Sequence, residues 1–126
     1  MHLQLLKGKI HRARLTGCDL HYEGSLAIDR EILARAGILP FEKILVVNAT
    51  NGERLETYAI PAPRGSRTFL LNGAAAHKGR PGDVVTIMAF AAVTPEEAAG
   101  FGHTTLVLDA ENRIVNTVVK TLQDYE

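Results

Sequence analysis

The 126-residue sequence is long enough for one domain with its own core, and no low-complexity stretch or repeat suggests a second. Fourteen basic residues balance 14 acidic ones, which excludes the basic footprint of a nucleic-acid binder and the like-charge run of a membrane-surface protein, and favours a homo-oligomer. A single cysteine, Cys18, leaves no internal disulfide and fits a cytoplasmic protein.

Residues 1–9 carry no continuous apolar segment ahead of a small-residue cleavage site, so no secretory signal is expected. From Leu3 to Leu15 apolar and basic residues nearly alternate, a strand pattern. Cys18 to Tyr22 reads as a second short strand that ends at Glu23 and Gly24. Asp29 to Ala36 reads as a helix: Asp29 can cap the first turn, Gly37 stands at the left-handed C-terminal position, and Ile28, Ile32, Leu33 and Ala36 form one apolar stripe. Ile44 to Val47 and Arg54 to Ile60 read as strands joined at Asn51-Gly52, a pair suited to a two-residue type I′ turn. Thr68 to Leu71 and Val84 to Val93 follow as strands, with Pro81-Gly82-Asp83 as the turn before the second. That second run is apolar apart from Thr86 but far shorter than the ~20 residues that cross a bilayer. Thr94-Pro95-Glu96-Glu97 is a capping box opening a brief helix. Thr104 to Leu108 and Arg113 to Val119 suggest a last pair of strands, although the second could equally be tail, and the residues from Gly100 onward suggest no functional role. Six or more short strands with few helical residues predict a mainly β domain, a small closed or nearly closed barrel whose strand order the pattern leaves open.

The five histidines, His2, His11, His21, His77 and His103, pair with no His, Cys or acid at a metal-binding spacing, so no metal is expected. Cys18 has no motif around it and reads as a small apolar filler. No Gly-rich loop between a strand and a helix supports nucleotide binding. One segment stands apart, Tyr22-Glu23-Gly24-Ser25. A Gly-Ser pair is most often plain loop, yet its chemistry suits a self-cleaving bond. Glycine leaves its carbonyl unhindered and tolerates the strained backbone that would bring the Ser25 hydroxyl onto the Gly24 carbonyl carbon. Attack turns the amide into an ester, elimination releases the Gly24 carboxylate and leaves dehydroalanine, and hydrolysis leaves a ketone at the new N-terminus.

Seven blocks carry a family resemblance: His11-Arg12, Asp19-Leu20-His21-Tyr22-Glu23-Gly24-Ser25, Ala36-Gly37-Ile38-Leu39, Thr50-Asn51-Gly52, Thr57-Tyr58-Ala59-Ile60, Arg64-Gly65-Ser66-Arg67 and Asn72-Gly73-Ala74-Ala75-Ala76-His77. In order, from about Lys7 to Phe90, after which the likeness fades, the chain resembles the bacterial pyruvoyl-dependent aspartate 1-decarboxylases. The resemblance implies a double-psi β-barrel, a homotetramer, and conversion of L-aspartate to β-alanine and CO2 for pantothenate and coenzyme A synthesis. It implies that a single domain of residues 1–126 cuts itself between Gly24 and Ser25 into pieces 1–24 and 25–126. Ser25 then becomes a covalent pyruvoyl cofactor that forms a Schiff base with aspartate and takes up electrons as the α-carboxylate leaves. Whether a separate activation factor takes part is left open by the sequence.

The same resemblance distributes roles. Arg54 holds a substrate carboxylate, which a guanidinium fork suits; Lys9 helps bind it and His11 lines the region. Tyr58 returns a proton to the α-carbon. Thr57 polarises the Gly24 carbonyl during cleavage and borders the substrate. Asn72 is a side-chain donor, Gly73, Ala74 and Ala75 form a backbone cradle, and Tyr22 lines the pocket. From the residues alone, Lys9 and His11 share one strand face, as do Arg54 and Tyr58, with Thr57 on the opposite face; each could equally be an ordinary sheet residue. The sequence departs from the family pattern at Leu26, where many relatives have cysteine, at Val47, where an aromatic is common, and at Gly17-Cys18. A barrel that never activates and serves as a scaffold is the first competing reading, which Lys9, Arg54, Thr57, Tyr58 and Asn72 together argue against. A pyruvoyl decarboxylase for another amino acid is the second, and Arg54 with Lys9 favours a substrate bearing a second carboxylate.

Overall fold

The computed structural model describes Met1–Tyr125; Glu126, part of the expected domain, lies outside the described residues. Nine strands form the body: β1 (Leu3–Arg14), β2 (Gly17–Asp19), β3 (Ser25–Asp29), β4 (Lys43–Asn48), β5 (Arg54–Ala62), β6 (Phe69–Asn72), β7 (Val84–Val93), β8 (Gly102–Leu108) and β9 (Ile114–Thr121). Two short helices, α1 (Arg30–Ala36) and α2 (Pro95–Ala98), and 3-10 turns at Gly73–Lys78 and Leu122–Tyr125 complete the described chain. The mainly β class expected from the sequence holds.

The strands make one sheet in the order β2-β6-β3-β5-β4-β7-β1-β8-β9. Pairs β1/β8, β2/β6 and β3/β5 are parallel. Parallel neighbours need crossover connections, which local hairpin signals do not encode, so the order was not legible from pattern. The sheet curls on itself. Just past β1, the Thr16 N–H donates to the Phe69 carbonyl at 2.8 Å and the Thr16 hydroxyl accepts from the Phe69 N–H at 2.9 Å, tying the seventh strand of the order to the second. Ile10, Leu26, Ile44, Phe69, Ile87 and Leu106, from six different strands, accordingly share one buried core, in accord with the small barrel expected.

The caps behave as read. Asp29 accepts from the Glu31 N–H and Gly37 closes α1 at φ 72°; Thr94 and Glu97 form a reciprocal capping box. The Asp29 carboxylate does more: its oxygens also take the N–H groups of Gly65 and Arg67, clamping the β5–β6 loop to the start of α1.

Two local expectations are corrected. The second strand ends at Asp19 rather than Tyr22, and a further strand, β3, begins at Ser25. All of β3 is buried, so Ser-Leu-Ala-Ile-Asp has no inside/outside alternation to display. The β4–β5 hairpin forms, but not through a two-residue turn. Only Gly52 has positive φ (80°), because the buried Asn48 side chain accepts from the Thr50 and Asn51 N–H groups and donates to Lys78 O and Asp83 Oδ2. The loop wraps round that side chain instead of reversing tightly.

Candidate active site

Strand β6 ends at Asn72, and both strands beside it register there: Asp19 of β2 on one side, Ser25 of β3 on the other. Residues 20–24, which join β2 to β3, therefore cross the end of β6. On its far side β3 runs parallel to β5, with Leu26 level with Ala59. Carrying that register back along both strands sets Ser25 beside Tyr58 and Gly24 beside Thr57. Residues at one level on neighbouring strands share a face. Asn72, Ser25 and Tyr58 thus form a cross-sheet row that Lys43 continues, while Thr57 turns with its partner Ile44 toward the core.

Ser25 is fully buried. Its hydroxyl donates to the Glu23 carbonyl and accepts from Asn72 Nδ2, both at 3.1 Å. Asn72 is itself buried, and its Oδ1 has no hydrogen-bond partner among the described residues. An unmade buried acceptor costs roughly 1–3 kcal/mol, and such atoms collect at working sites. Gly24 has no φ in the left-handed region, and a side chain there would meet nothing within 4 Å. The left-handed glycine of this cluster is Gly73. Ala74 is exposed, Ala75 packs against the core, and Tyr22 stands exposed on the loop.

Lys9, His11 and Arg54 lie on the same outer face as Tyr58 but in other rows. Lys9 is level with Met88, Leu45 and Glu56; Arg54 is level with Val47 and Thr86, whose hydroxyl lies 3.4 Å from His11 Nδ1. Three strand spacings of about 4.8 Å separate Lys9 from Arg54 along the sheet. Four residues along β5 put Arg54 about 13 Å from the level of Ser25. One chain therefore gathers Ser25, Gly24, Asn72, Thr57 and Tyr58, and leaves Lys9 and His11 across the sheet. Glu56, between Arg54 and Tyr58 on this face, is paired with Lys43 at 2.7 Å, and neither Arg54 nor Lys9 has an acidic partner among the described residues. Burial first, then the charges of Lys9 and Arg12, hold the His11 pKa below its ordinary value, so the ring adds no third cation at neutral pH.

Cys18 is half-buried with its Sγ toward the Gly79 carbonyl at 3.4 Å; burial and Asp83 push the thiol pKa up, the environment of a filler rather than a nucleophile. Among the described residues no group of three or more His, Cys, Asp or Glu could hold a metal, and no helix is long and apolar enough to cross a membrane. Residue reading missed the Glu23 carbonyl as the hydroxyl's acceptor, a backbone role without a side-chain signal. It also missed the left-handed Gly73, although Asn72-Gly73 repeats the very dipeptide that marked residues 51 and 52.

Residues 1–115 match the model of the family described as aspartate decarboxylase. The chain belongs to the aspartate decarboxylase family. It is 55% identical over 117 residues to the aspartate 1-decarboxylase of Thioalkalivibrio sulfidiphilus, covering 93% of each chain. It is 49% identical over 117 residues to that of Salinibacter ruber, covering 93% of this chain and 80% of the relative. With that of Coprothermobacter proteolyticus it shares 52% over 114 residues, 90% and 93% of the two chains. As a member of this family, the protein is an aspartate decarboxylase. The likeness does not fade at Phe90 but runs into β9. The fold explains why: β8 pairs with β1 and supplies Leu106 and Leu108 to the core, so this part of the decarboxylase is barrel, not tail.

Proposed function

We propose that the chain is a precursor that cuts its own Gly24–Ser25 bond and uses the pyruvoyl group made from Ser25 to convert L-aspartate to β-alanine and CO2. The observation that carries this reading is a fully buried serine hydroxyl held between the Glu23 carbonyl and the Asn72 amide, one residue after a glycine. Ser25 Oγ bonds to the Gly24 carbonyl carbon, its proton passes to the Ser25 nitrogen, and the C–N bond breaks to leave an ester. Negative charge builds on the Gly24 oxygen during that step, and Thr57, level with Gly24, is the donor that meets it. Loss of the Ser25 α-proton then expels Gly24 as a carboxylate, leaving dehydroalanine. Water enters and ammonia departs, which makes the ketone. Pieces 1–24 and 25–126 stay together as one domain because both contribute strands to the sheet.

The residues present fit such a group. A small carbonyl in place of Ser25 would lie against the buried Asn72 amide, and Asn72 is the side chain that would hold it. Once joined to the substrate amine, the pyruvoyl group supplies the electron sink for losing CO2. The chain's own residues do the rest. Asn72, Gly73, Ala74 and Ala75 border the substrate with Tyr22. Tyr58, in the row beside Ser25, returns a proton to the α-carbon. Arg54 and Lys9, without an acidic partner among the described residues, are the cations for carboxylate binding. Their places three strands apart in the sheet are compatible with a homotetramer whose copies complete each other's sites, Lys9 and His11 coming from a neighbour. Zero net charge is compatible with that association. A cytoplasmic role in supplying β-alanine to pantothenate and coenzyme A synthesis follows from this activity.

The test is to give L-aspartate to fully cleaved protein and measure β-alanine and CO2. They should appear in equal amounts. Cleaved protein that yields neither would overturn aspartate as the substrate.

A further inference from the structure

Gly73 is the first residue past β6, and its φ is 70°. A Cβ built on it would sit 2.7 Å from both the N and the Cα of Gly24 and 2.9 Å from the Tyr22 carbonyl oxygen. Real Cβ atoms essentially never approach within 3.0 Å, and all three neighbours are backbone, so no rotamer change relieves the contact. The crowding has a topological cause. Because the strands on both sides of β6 register on Asn72, the loop of residues 20–24 has to pass over residue 73. Gly24 faces no such limit, since a Cβ there would project into open space. Of the two glycines in contact, the one that must lack a side chain lies outside the bond to be cut.

We infer that Gly73 is a positioning residue for the cut: its bare Cα is the platform on which the Tyr22–Gly24 backbone rests, setting the Gly24 carbonyl within reach of the Ser25 hydroxyl. The inference rests on the self-cleavage proposed above. Ser25 is held to β6 by its pairing with Asn72 and by the hydrogen bond from Nδ2 of that residue, and to the loop only by its bond to the Glu23 carbonyl, so a loop that lifts must stretch one of these contacts and disturb the hydroxyl's approach to Gly24. A Cβ at position 73 would force Gly24 from 2.7 Å to an ordinary contact of 3.4 Å or more. Displacements near 1 Å cost reacting groups as much as about 100-fold in rate.

The experiment follows first-order cleavage of purified precursors by intact mass, normalised to the folded fraction from circular dichroism. Gly73→Ala and Gly73→Asn should both cut about 10-fold or more slowly; asparagine tolerates positive φ, so it isolates the contact from backbone strain. Gly52→Ala is the control, because Gly52 has φ 80° with open space around its Cβ. It should lose melting temperature yet cut at the wild-type rate. Inserting a glycine between Leu20 and His21, in an exposed loop that lets the backbone rise off residue 73, should also slow the cut and does not depend on the position-73 variants folding. Position-73 variants or the insertion cutting within about twofold of wild type would overturn the inference, as would a Gly52→Ala variant slowed equally. Wild-type protein that never cuts would sink the self-cleavage reading itself, a distinct result.

Discussion

Replacing Thr57 with valine should stop the cut and spare the fold. Thr57 is half-buried, level with Ile44 of β4 and, by the β3/β5 register, beside Gly24. Valine keeps the branched shape on a strand and removes only the hydroxyl. No buried Thr57 oxygen lacks a partner, so the exchange relieves no orphan, and a change of under about 1 kcal/mol in stability is expected. In melting temperature that is less than about 5 °C. The cut is a different matter. One donor lost from the site where an oxyanion forms costs about 2.7–4 kcal/mol, or roughly 100- to 1,000-fold in rate. The assay is a time course of precursor mass at fixed temperature, with calorimetry on the same sample. Thr57→Ser, which keeps the donor, should recover most of the rate. A valine variant that melts normally and cuts within about threefold of wild type would refute the assignment of Thr57 as that donor.

Asp29→Ala strips one buried carboxylate from three backbone N–H groups at once, those of Glu31, Gly65 and Arg67. Because Gly65 and Arg67 lie at the surface, water replaces part of what is lost, and a destabilisation of about 2–4 kcal/mol is expected in urea titrations; under about 1 kcal/mol would contradict the clamp. Arg54→Lys keeps the charge but loses the fork, so KM for aspartate should rise about 10-fold or more with self-cleavage unchanged, measured by steady-state kinetics on cleaved protein. An unchanged KM would place the substrate carboxylate elsewhere. His11, whose folded pKa lies below the ordinary 6.5, makes the unfolded chain the better proton acceptor between the two values. Its contribution to stability is therefore complete above pH 6.5 and declines as pH falls through the folded pKa; His11→Asn should flatten that part of the urea-midpoint profile, and a profile identical to wild type would contradict it.

Part of the candidate site was legible in the residues because the chemistry it would need is local. Gly24-Ser25 is a bond a hydroxyl could attack, the period of a strand sets Arg54 and Tyr58 on one face while the family resemblance alone implies their roles, and both helix caps are set within four residues. What was not visible depends on partners distant in sequence. Strand β3 is covered on both faces, so its pattern is silent, and its pairing with β5 and β6 is what brings Thr57, Tyr58 and Asn72 to Ser25. The demand for glycine at 73 exists only because two strands end at Asn72. The separation of Lys9 from Arg54 likewise needs the strand order, which periodicity does not carry.

Intact mass of the purified, incubated chain tests the central claim most directly. Two pieces should appear, residues 1–24 with a free carboxylate and residues 25–126 starting with a pyruvoyl group, while Ser25→Ala stays whole. A wild-type chain that remains at its full, unmodified mass, or a Ser25→Ala chain cut equally well, would contradict the account.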